Sequence, residues 1–273
     1  MLVGAMNNPS RDVFSEMKWM SEMGLDFIDL TLEPPSAAPW RIDPKSIRSA
    51  LNDLGLGVVG HTAYYLPFSC TFESIRKAAV EESKRCLELF SRIGAKWMNL
   101  HPDRHAPFHS RHFVIEQNLR SIRELLPTAQ DCGMGLMIEN VPGDFNSRAQ
   151  LGELLDPVSD LGLHLDIGHC NLQVVTNTAT DIITAYGPRI KHVHIHDNKG
   201  GVADLHLPLG TGTLDYVSPL RALQAWEFDG TITLEVFSED HQFLAYSRDV
   251  LVLTWNKLRE RQGMRLGVET VAG

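Results

Sequence analysis

The chain has 273 residues, of which 43% are hydrophobic and 22% charged, and its formal net charge at pH 7 is −9. A length near about 250 residues with this composition is typical of one large globular domain whose core needs neither disulfides nor a structural metal. The acidic balance argues against a nucleic-acid-binding protein, and the lack of an apolar run of about 18 residues argues against a membrane protein.

The cysteines and the N-terminus predict where the protein resides. The four cysteines are far apart in the sequence and form no CxxC pair, which is typical of reduced thiols. The N-terminus lacks a basic region followed by a long apolar run, so no signal peptide is expected. We therefore expect a cytoplasmic protein.

Short apolar runs alternate with longer amphipathic segments along the chain. The apolar runs predict strands over residues 2–6, 26–32, 57–61, 96–101, 135–140, 163–168, 190–196 and 230–237. The segments between them predict helices over residues 11–23, 44–54, 72–93, 112–132, 147–155, 178–186, 216–226 and 241–261. Strict alternation predicts parallel strands joined by crossover helices, and eight such units predict closure into an α/β fold of the (β/α)₈ TIM-barrel type. We expect a single catalytic domain over residues 1–262 and a C-terminal tail over residues 263–273.

Six of the predicted strands end in residues that can bind a metal ion. Barrel enzymes place their chemistry at the C-terminal ends of the strands, and ionisable groups buried there need partners. A lone histidine at a strand end is more often structural, but six strand ends converging on one rim favour a divalent-metal site. The residues concerned are His61, His101, Glu139, Asp166, His169, His194 and Glu235.

The segment around the seventh strand adds further candidates. Asp204 and His206 follow this strand closely and are spaced so that both can face one site. His164 and His192 lie one layer deeper on their strands and are predicted to be packing residues, whereas His196 shares the strand face of His194 and stays ambiguous. His241 is expected to begin the last helix, outside the site.

From Gly60-His61 to Glu235 the sequence resembles the xylose-isomerase-like barrel superfamily, in which sugar (phosphate) isomerases and epimerases and endonuclease IV are related branches. The run from His192 to Asn198, followed by Asp204-Leu-His-Leu-Pro-Leu-Gly-Thr-Gly-Thr-Leu-Asp215, resembles the sugar isomerase and epimerase branch most. This resemblance implies a metal-binding quartet of Glu139, Asp166, His194 and Glu235. The resemblance to endonuclease IV implies up to three metal ions and the additional ligands His61, His101, His169, Asp204 and His206.

Two departures from the endonuclease IV pattern favour the isomerase hypothesis. Strand six reads Asp166-Ile-Gly-His169, where the nuclease usually has Asp-Thr-Cys-His. The later segment reads Asp204-Leu-His206 and lacks the arginine that would lie beside a phosphate. Tyr64 and Tyr65 could stack on a base or on a sugar, so they leave the choice open. An endonuclease IV-like metal-dependent phosphodiesterase remains the alternative.

The isomerase hypothesis gives the predicted residues their roles. A divalent cation (Mn, Mg, Co, Fe or Zn; one ion, or up to three) would stabilise an enediolate, while Glu139 and Glu235 exchange protons with carbon and His169 hydrogen-bonds the substrate. Loops 62–71 and 102–111 are expected to select a small-molecule carbohydrate substrate. Binding to nucleic acid or to a membrane is not expected, and a homo-oligomer is compatible with the sequence. The residues predicted to bind substrate are His61, His101, Tyr64 and Lys199, with Lys199, Arg104 and Arg111 as candidates for holding a phosphate or carboxylate.

Overall fold

A computed structural model describes residues 1–104 and 108–269, the last eight of them by their backbone alone. Eight parallel strands close into a barrel in chain order, which confirms the predicted (β/α)₈ fold. The strands are β1 Leu2–Met6, β2 Phe27–Leu32, β3 Gly57–Thr62, β4 Trp97–Leu100, β5 Gly135–Glu139, β6 Gly162–Asp166, β7 Ile190–Ile195 and β8 Thr231–Leu234.

An α-helix follows each strand and packs on the outside of the barrel. Apolar faces of these helices join the outward-facing strand residues in one continuous core, with Leu87, Phe90 and Leu125 among its fully buried members. The helices are α1 Val13–Glu22, α2 Pro44–Leu54, α3 Glu73–Ile93, α4 Arg111–Asp131, α5 Arg148–Leu155, α6 Ala179–Tyr186, α7 Val217–Ala225 and α8 Gln242–Glu269.

The element boundaries differ from the predicted ones for local reasons. Helix α1 begins at Val13 because the side chain of Asp12 caps it, accepting a hydrogen bond from the N–H of Ser15. Strand β8 ends at Leu234, where its register with β7 ends, so Glu235 lies just beyond the strand. Helix α8 continues to Glu269 and enters the segment predicted as a tail, while residues 270–273 lie outside the described part.

The interior of the barrel is apolar at its base and polar above. Phe27, Val59 and Met137 form the base, against which Trp97 packs. Above it the even-numbered strands contribute buried polar side chains, where barrels of this kind usually carry branched apolar ones. We call these residues the polar layer: Asp29, Asn99, His164 and Thr233.

The structure also bears on the cysteines and on the question of membrane-spanning helices. All four cysteines are free, with Cys86 and Cys170 buried and Cys70 and Cys132 partly buried. Among the residues that the structure describes, no helix combines the length and the apolar character needed to cross a bilayer.

Candidate metal centre and active site

The C-terminal ends of the strands open into a cavity of about 850 Å³. Asp166 and His194 lie fully buried at its floor, so the whole predicted quartet belongs to one region. The predicted residues that line the cavity directly are His61, Tyr64, His101, Arg104, Glu139, His169, Asp204, His206 and Glu235.

Glu139, at the end of β5, joins the histidines of β3 and β4. Its Oε2 lies 2.9 Å from Nε2 of His101 and 4.0 Å from Nε2 of His61. The two histidine Nε2 atoms are 3.4 Å apart. These three ligand atoms are close enough together to hold one cation. We call this group the Glu139 cluster.

His169 links the Glu139 cluster to Asp166, the next member of the quartet. Nδ1 of His169 lies 3.4 Å from Oε1 of Glu139 and 3.3 Å from Oδ2 of Asp166. On the neighbouring strands, Nδ1 of His194 lies 3.3 Å from Oε2 of Glu235. Ligand atoms of Asp166 and Glu235 lie within 4.8 Å of one another, so all four predicted quartet residues lie in one region.

The β7–α7 loop folds back over the site and brings a further carboxylate and histidine. Oδ2 of Asp204 lies 3.2 Å from Nε2 of His169 and 3.1 Å from Nε2 of His206. The other ring nitrogen of His206 is 3.0 Å from the backbone oxygen of Glu235, which fixes the ring against β8. His206 adopts a φ of 45°, a left-handed conformation that a non-glycine residue seldom takes.

His196 reaches the same region from the end of β7. Its Nε2 lies 3.5 Å from Oδ1 of Asp166 and 3.6 Å from Oδ1 of Asp204. The approach depends on Gly168, since a Cβ at that position would lie 2.2 Å from the same nitrogen. His196, left ambiguous by the sequence, therefore points into the site and does not merely pack on the barrel.

Two asparagines contact the residues that carry the carboxylates, one at a side chain and one at the backbone. Asn99 of the polar layer donates to Oε2 of Glu139 at 2.6 Å. Asn140 accepts the N–H of Asp166 at 2.7 Å through its side-chain oxygen, while its backbone oxygen lies 2.9 Å from Nδ1 of His169. Neither residue was a candidate from sequence, because an amide at the end of a strand has many structural uses.

The buried charges of the site shift the pKa values of its carboxylates and histidines in opposite directions. Burial opposes ionisation of Glu139, but His164 and His101 outweigh it and hold the pKa of Glu139 well below its usual value. Burial also opposes protonation of His194, yet Glu235 and Asp29 raise the pKa of that ring well above its ordinary value. For His206, Asp204 and Glu235 overcome burial and raise the pKa to about 8. A bound cation would replace the protons that now balance these carboxylates.

The donor set fits a divalent metal. Among the described residues, Oδ2 of Asp166, Nδ1 of His194 and Oε2 of Glu235 are buried and find no hydrogen-bond partner. Buried polar atoms are normally satisfied, so atoms of this kind mark a place where a cation can supply the missing interaction. Mixed imidazole and carboxylate ligands suit Mn²⁺, Fe²⁺, Co²⁺ and Zn²⁺.

Some expected residues lie elsewhere, and others were missed. Lys199 is exposed and does not line the cavity, and Arg111 pairs with Glu153 at 2.5 Å. Arg104 lines the cavity, but residues 105–107 of its loop lie outside the described part. His241 was expected outside the site, yet it lines the cavity and packs against Trp19 in a tilted arrangement with ring centroids 4.1 Å apart.

The family follows from the fold and a match along most of the chain. A family model described as a xylose isomerase-like TIM barrel matches residues 17–254, so the chain belongs to that family. This confirms the resemblance seen in the motifs.

The curated relatives include proteins of both branches expected from the sequence. L-ribulose 3-epimerase of Methylomonas sp. (strain DH-1) is 36% identical over 129 residues, which are 45% of this chain and 42% of that protein. A probable endonuclease 4 of Thermotoga petrophila (strain ATCC BAA-488 / DSM 13995 / JCM 10881 / RKU-1) is 23% identical over 171 residues, 56% of this chain and 58% of that protein. The chain spans about half the length of the curated relatives it matches, 58%, 56% and 42% for the first three.

Solved structures share the fold over nearly the whole chain. A D-tagatose 3-epimerase-like protein superposes with a TM-score of 0.84 at 21% identity, covering 96% of this chain and 99% of that one. The IOLI protein, crystallised with a bound zinc atom, superposes with a TM-score of 0.80 at 16% identity and covers 94% and 99%. At these identities the likeness establishes the barrel architecture.

Proposed function

We propose that this protein is a divalent-metal-dependent isomerase or epimerase of a sugar or keto-polyol. The observation that carries the proposal is the placement of Glu139 and Glu235. Both line one cavity and both are buried, but they reach it from β5 and β8, with two strands between them. Two carboxylates that approach a substrate from different sides can take a proton from carbon and return one.

The proposed metal ligands are the quartet Glu139, Asp166, His194 and Glu235. A divalent cation held there would polarise a substrate carbonyl and stabilise the negative charge that develops on proton loss. Asn99 donates to the carboxylate of Glu139, whereas Asn140 holds the backbone of Asp166 and the N–H of His169 donates to the Asp166 carboxylate. The protein thus supplies a prearranged set of oxygen and nitrogen donors without further reorganisation.

The other predicted residues have supporting positions around the substrate. His169 lies between Glu139 and Asp204 and would hydrogen-bond a substrate hydroxyl near the reacting carbons. His61, His101 and Tyr64 line the same cavity, with the ring centroid of Tyr64 6.5 Å from that of His101. A cavity of about 850 Å³ exceeds what a single sugar ring occupies, so the proposed substrates include sugars that carry a substituent.

The proposal is tested by solvent exchange. The metal-loaded protein is incubated in D₂O with a panel of ketoses, keto-inositols and their phosphates. We expect deuterium at the carbon next to the carbonyl in at least one substrate and its epimer or isomer. Product that forms without solvent deuterium would indicate a hydride shift, and an inactive panel together with a lack of metal binding would count against the proposal.

An endonuclease IV-like phosphodiesterase is a second candidate, favoured by one specific observation. The additional ligands predicted for a three-metal site do converge, with His61 and His101 at Glu139 and with His169 and His206 at Asp204. Against it, the cavity lining within the described residues includes Glu16, Glu33 and Glu239 besides the metal ligands, and two arginines, Arg11 and Arg104. An anionic cavity is a poor match for the negatively charged phosphodiester backbone of a nucleic acid. We expect no chelator-sensitive incision of a duplex with an abasic site, and robust incision would make this the better assignment.

A further inference from the structure

A buried carboxylate in the polar layer lies directly beneath the proposed metal ligands. Asp29 is fully buried on β2. Its Oδ2 lies 2.6 Å from Nε2 of His194, and it also lies 3.1 Å from Nε2 of His192 and 3.1 Å from the hydroxyl of Thr233. Its Oδ1 lies 3.5 Å from Nδ1 of His61. Asp29 was absent from every set of residues that the sequence suggested.

The two ligand histidines present opposite ring nitrogens to Asp29 and to the cavity. His194 turns Nε2 down to Asp29 and Nδ1 towards Oε2 of Glu235, 3.3 Å away. His61 turns Nδ1 down to Asp29 and Nε2 towards the Glu139 cluster, 3.4 Å from Nε2 of His101. In His194 the nitrogen that faces the site is the one left free by the carboxylate below. At His61 the contact with Asp29 is a longer ion-pair distance, and neither Nδ1 nor Oδ1 has a hydrogen-bond partner.

A histidine can bind a metal only through a nitrogen that carries a lone pair. When the opposite nitrogen donates its hydrogen to a carboxylate, the tautomer and the ring orientation are both fixed, and the ring becomes a better ligand. The three short contacts at Oδ2, of 2.6, 3.1 and 3.1 Å, are hydrogen-bond distances to three donors. Oδ2 of Asp29 thus accepts hydrogen bonds from His194, His192 and Thr233.

We propose that Asp29 is a positioning residue for metal binding: it fixes His194 as the Nε2–H tautomer, so that this ring presents a free Nδ1 to the cavity. This inference rests on the proposed metal centre. Because His61 belongs to the Glu139 cluster and His194 to the quartet, the charge of this one carboxylate lies beside ligands on β3 and β7. Loss of its charge therefore affects both parts of the site.

Asp29→Asn is the informative variant, because the amide has nearly the same shape. An amide offers one acceptor oxygen, and its NH₂ group donates. The amide oxygen is uncharged and therefore a weaker acceptor than the carboxylate, so the hydrogen bond that fixes Nε2–H of His194 is weakened. The matched control is Asp26→Asn, just before the same strand, where Oδ2 of Asp26 accepts the N–H of Val3 at 2.8 Å, away from the cavity.

The experiment measures binding of Mn²⁺ and Zn²⁺ to the full, metal-free chain by calorimetry, alongside thermal unfolding. Loss of an outer carboxylate partner typically weakens a metal site about 10- to 100-fold, and this loss is expected for Asp29→Asn. Asp26→Asn should keep its affinity within about twofold, even if its thermal midpoint falls. Long-range ¹H–¹⁵N spectra of the zinc-loaded protein should show His194 as the Nε2–H tautomer, and this signature should be lost in Asp29→Asn.

The possible failures are distinguishable. If the unmodified protein binds neither ion, the proposed metal centre is wrong and the role of Asp29 with it. If the unmodified protein binds and Asp29→Asn binds equally well, or if crystals show a cation coordinated by Asp29 itself, only the positioning role is wrong. Should Asp29→Asn not fold, the spectra of the unmodified zinc-loaded protein still test the inference, and an Nδ1–H tautomer of His194 would overturn it.

Discussion

The backbone N–H of Gly212 donates to Oδ2 of Asp197 at 2.9 Å, and a Cβ at Gly212 would lie 2.3 Å from Oδ1 of the same carboxylate. Asp197 also accepts the N–H groups of Gly210 at 2.8 Å and Leu214 at 3.1 Å. One buried carboxylate thus organises the second half of the β7–α7 loop. The first half of that loop carries Asp204 and His206.

We therefore expect Gly212→Ala to destabilise the protein. The new Cβ would also lie 2.2 Å from the backbone oxygen of Asn198, so the loop must shift. Overpacking of this kind costs about 1–3 kcal/mol, which urea unfolding would measure. Thr211→Ala, an exposed position on the same turn, is the control and should lose much less. Equal midpoints for the two variants would show that the loop is not held by this contact.

The acid–base roles of Glu139 and Glu235 predict the effect of removing each charge. Glu139→Gln and Glu235→Gln should each lower turnover by more than about 10²–10⁴-fold, and wash-in of solvent deuterium should disappear. At least one variant should retain measurable metal affinity, since the amide keeps an oxygen ligand. Glu116→Gln, exposed on the outside of α4, serves as the control. Near-native rates in both site variants would leave the carboxylates with a ligand role alone.

Removal of metal should lower the stability of the folded protein. A cation present at about 100 times its dissociation constant adds about 2.7 kcal/mol to the free energy of unfolding, if it binds the folded state alone. Calorimetric scans of chelator-treated and Mn²⁺-loaded protein would show the difference. His194→Ala should abolish most of the gain, whereas His109→Ala, at an exposed position, should keep it. A thermal midpoint that does not respond to metal would contradict the proposed centre.

A buried arginine on α3 predicts a stability effect remote from the site. The side chain of Arg76 is 0% exposed; it pairs with Glu73 at 2.9 Å and Glu124 at 2.7 Å, and donates to Ser121 at 2.9 Å. Arg76→Ala should cost about 2–3 kcal/mol, below the roughly 3–5 kcal/mol of a fully buried pair, because both carboxylates remain in contact with water. Arg85→Ala breaks an exposed pair on the same helix and should change little.

The same ion pair predicts a pH dependence. Hydrogen bonds from Arg76 lower the pKa of Glu73 to about 2 in the folded protein. A carboxylate with a depressed pKa stabilises the fold above its unfolded pKa of about 4.3, and this contribution is lost as the pH falls through the folded value. The stability difference between the native protein and Glu73→Gln should therefore shrink between about pH 5 and pH 2. A difference that stays constant over this range would contradict the assignment.

The sequence by itself determined the barrel and most of its rim. Alternating apolar and amphipathic segments of suitable length allow few arrangements other than parallel strands with outer helices. Because the C-terminal ends of the strands in a parallel barrel share one edge, the sequence alone places residues such as Glu139 and Asp166 close together. The ranges of the strands were right to within a few residues for the same reason.

The tertiary structure alone decided the contacts inside the barrel, below the strand ends, and the positions of the loop residues above them. Asp29 sits inside the apolar run Phe27–Leu32, where a carboxylate looks like an exception within a strand. Its role depends on barrel closure, which brings β2 beside residues of β7 that are 163 and 165 positions away in sequence. Lys199, His196 and His241 depend on the paths of loops, which follow no periodic pattern. Local pattern fixes which face a side chain takes, but contacts between distant strands and loops arise only when the chain has packed.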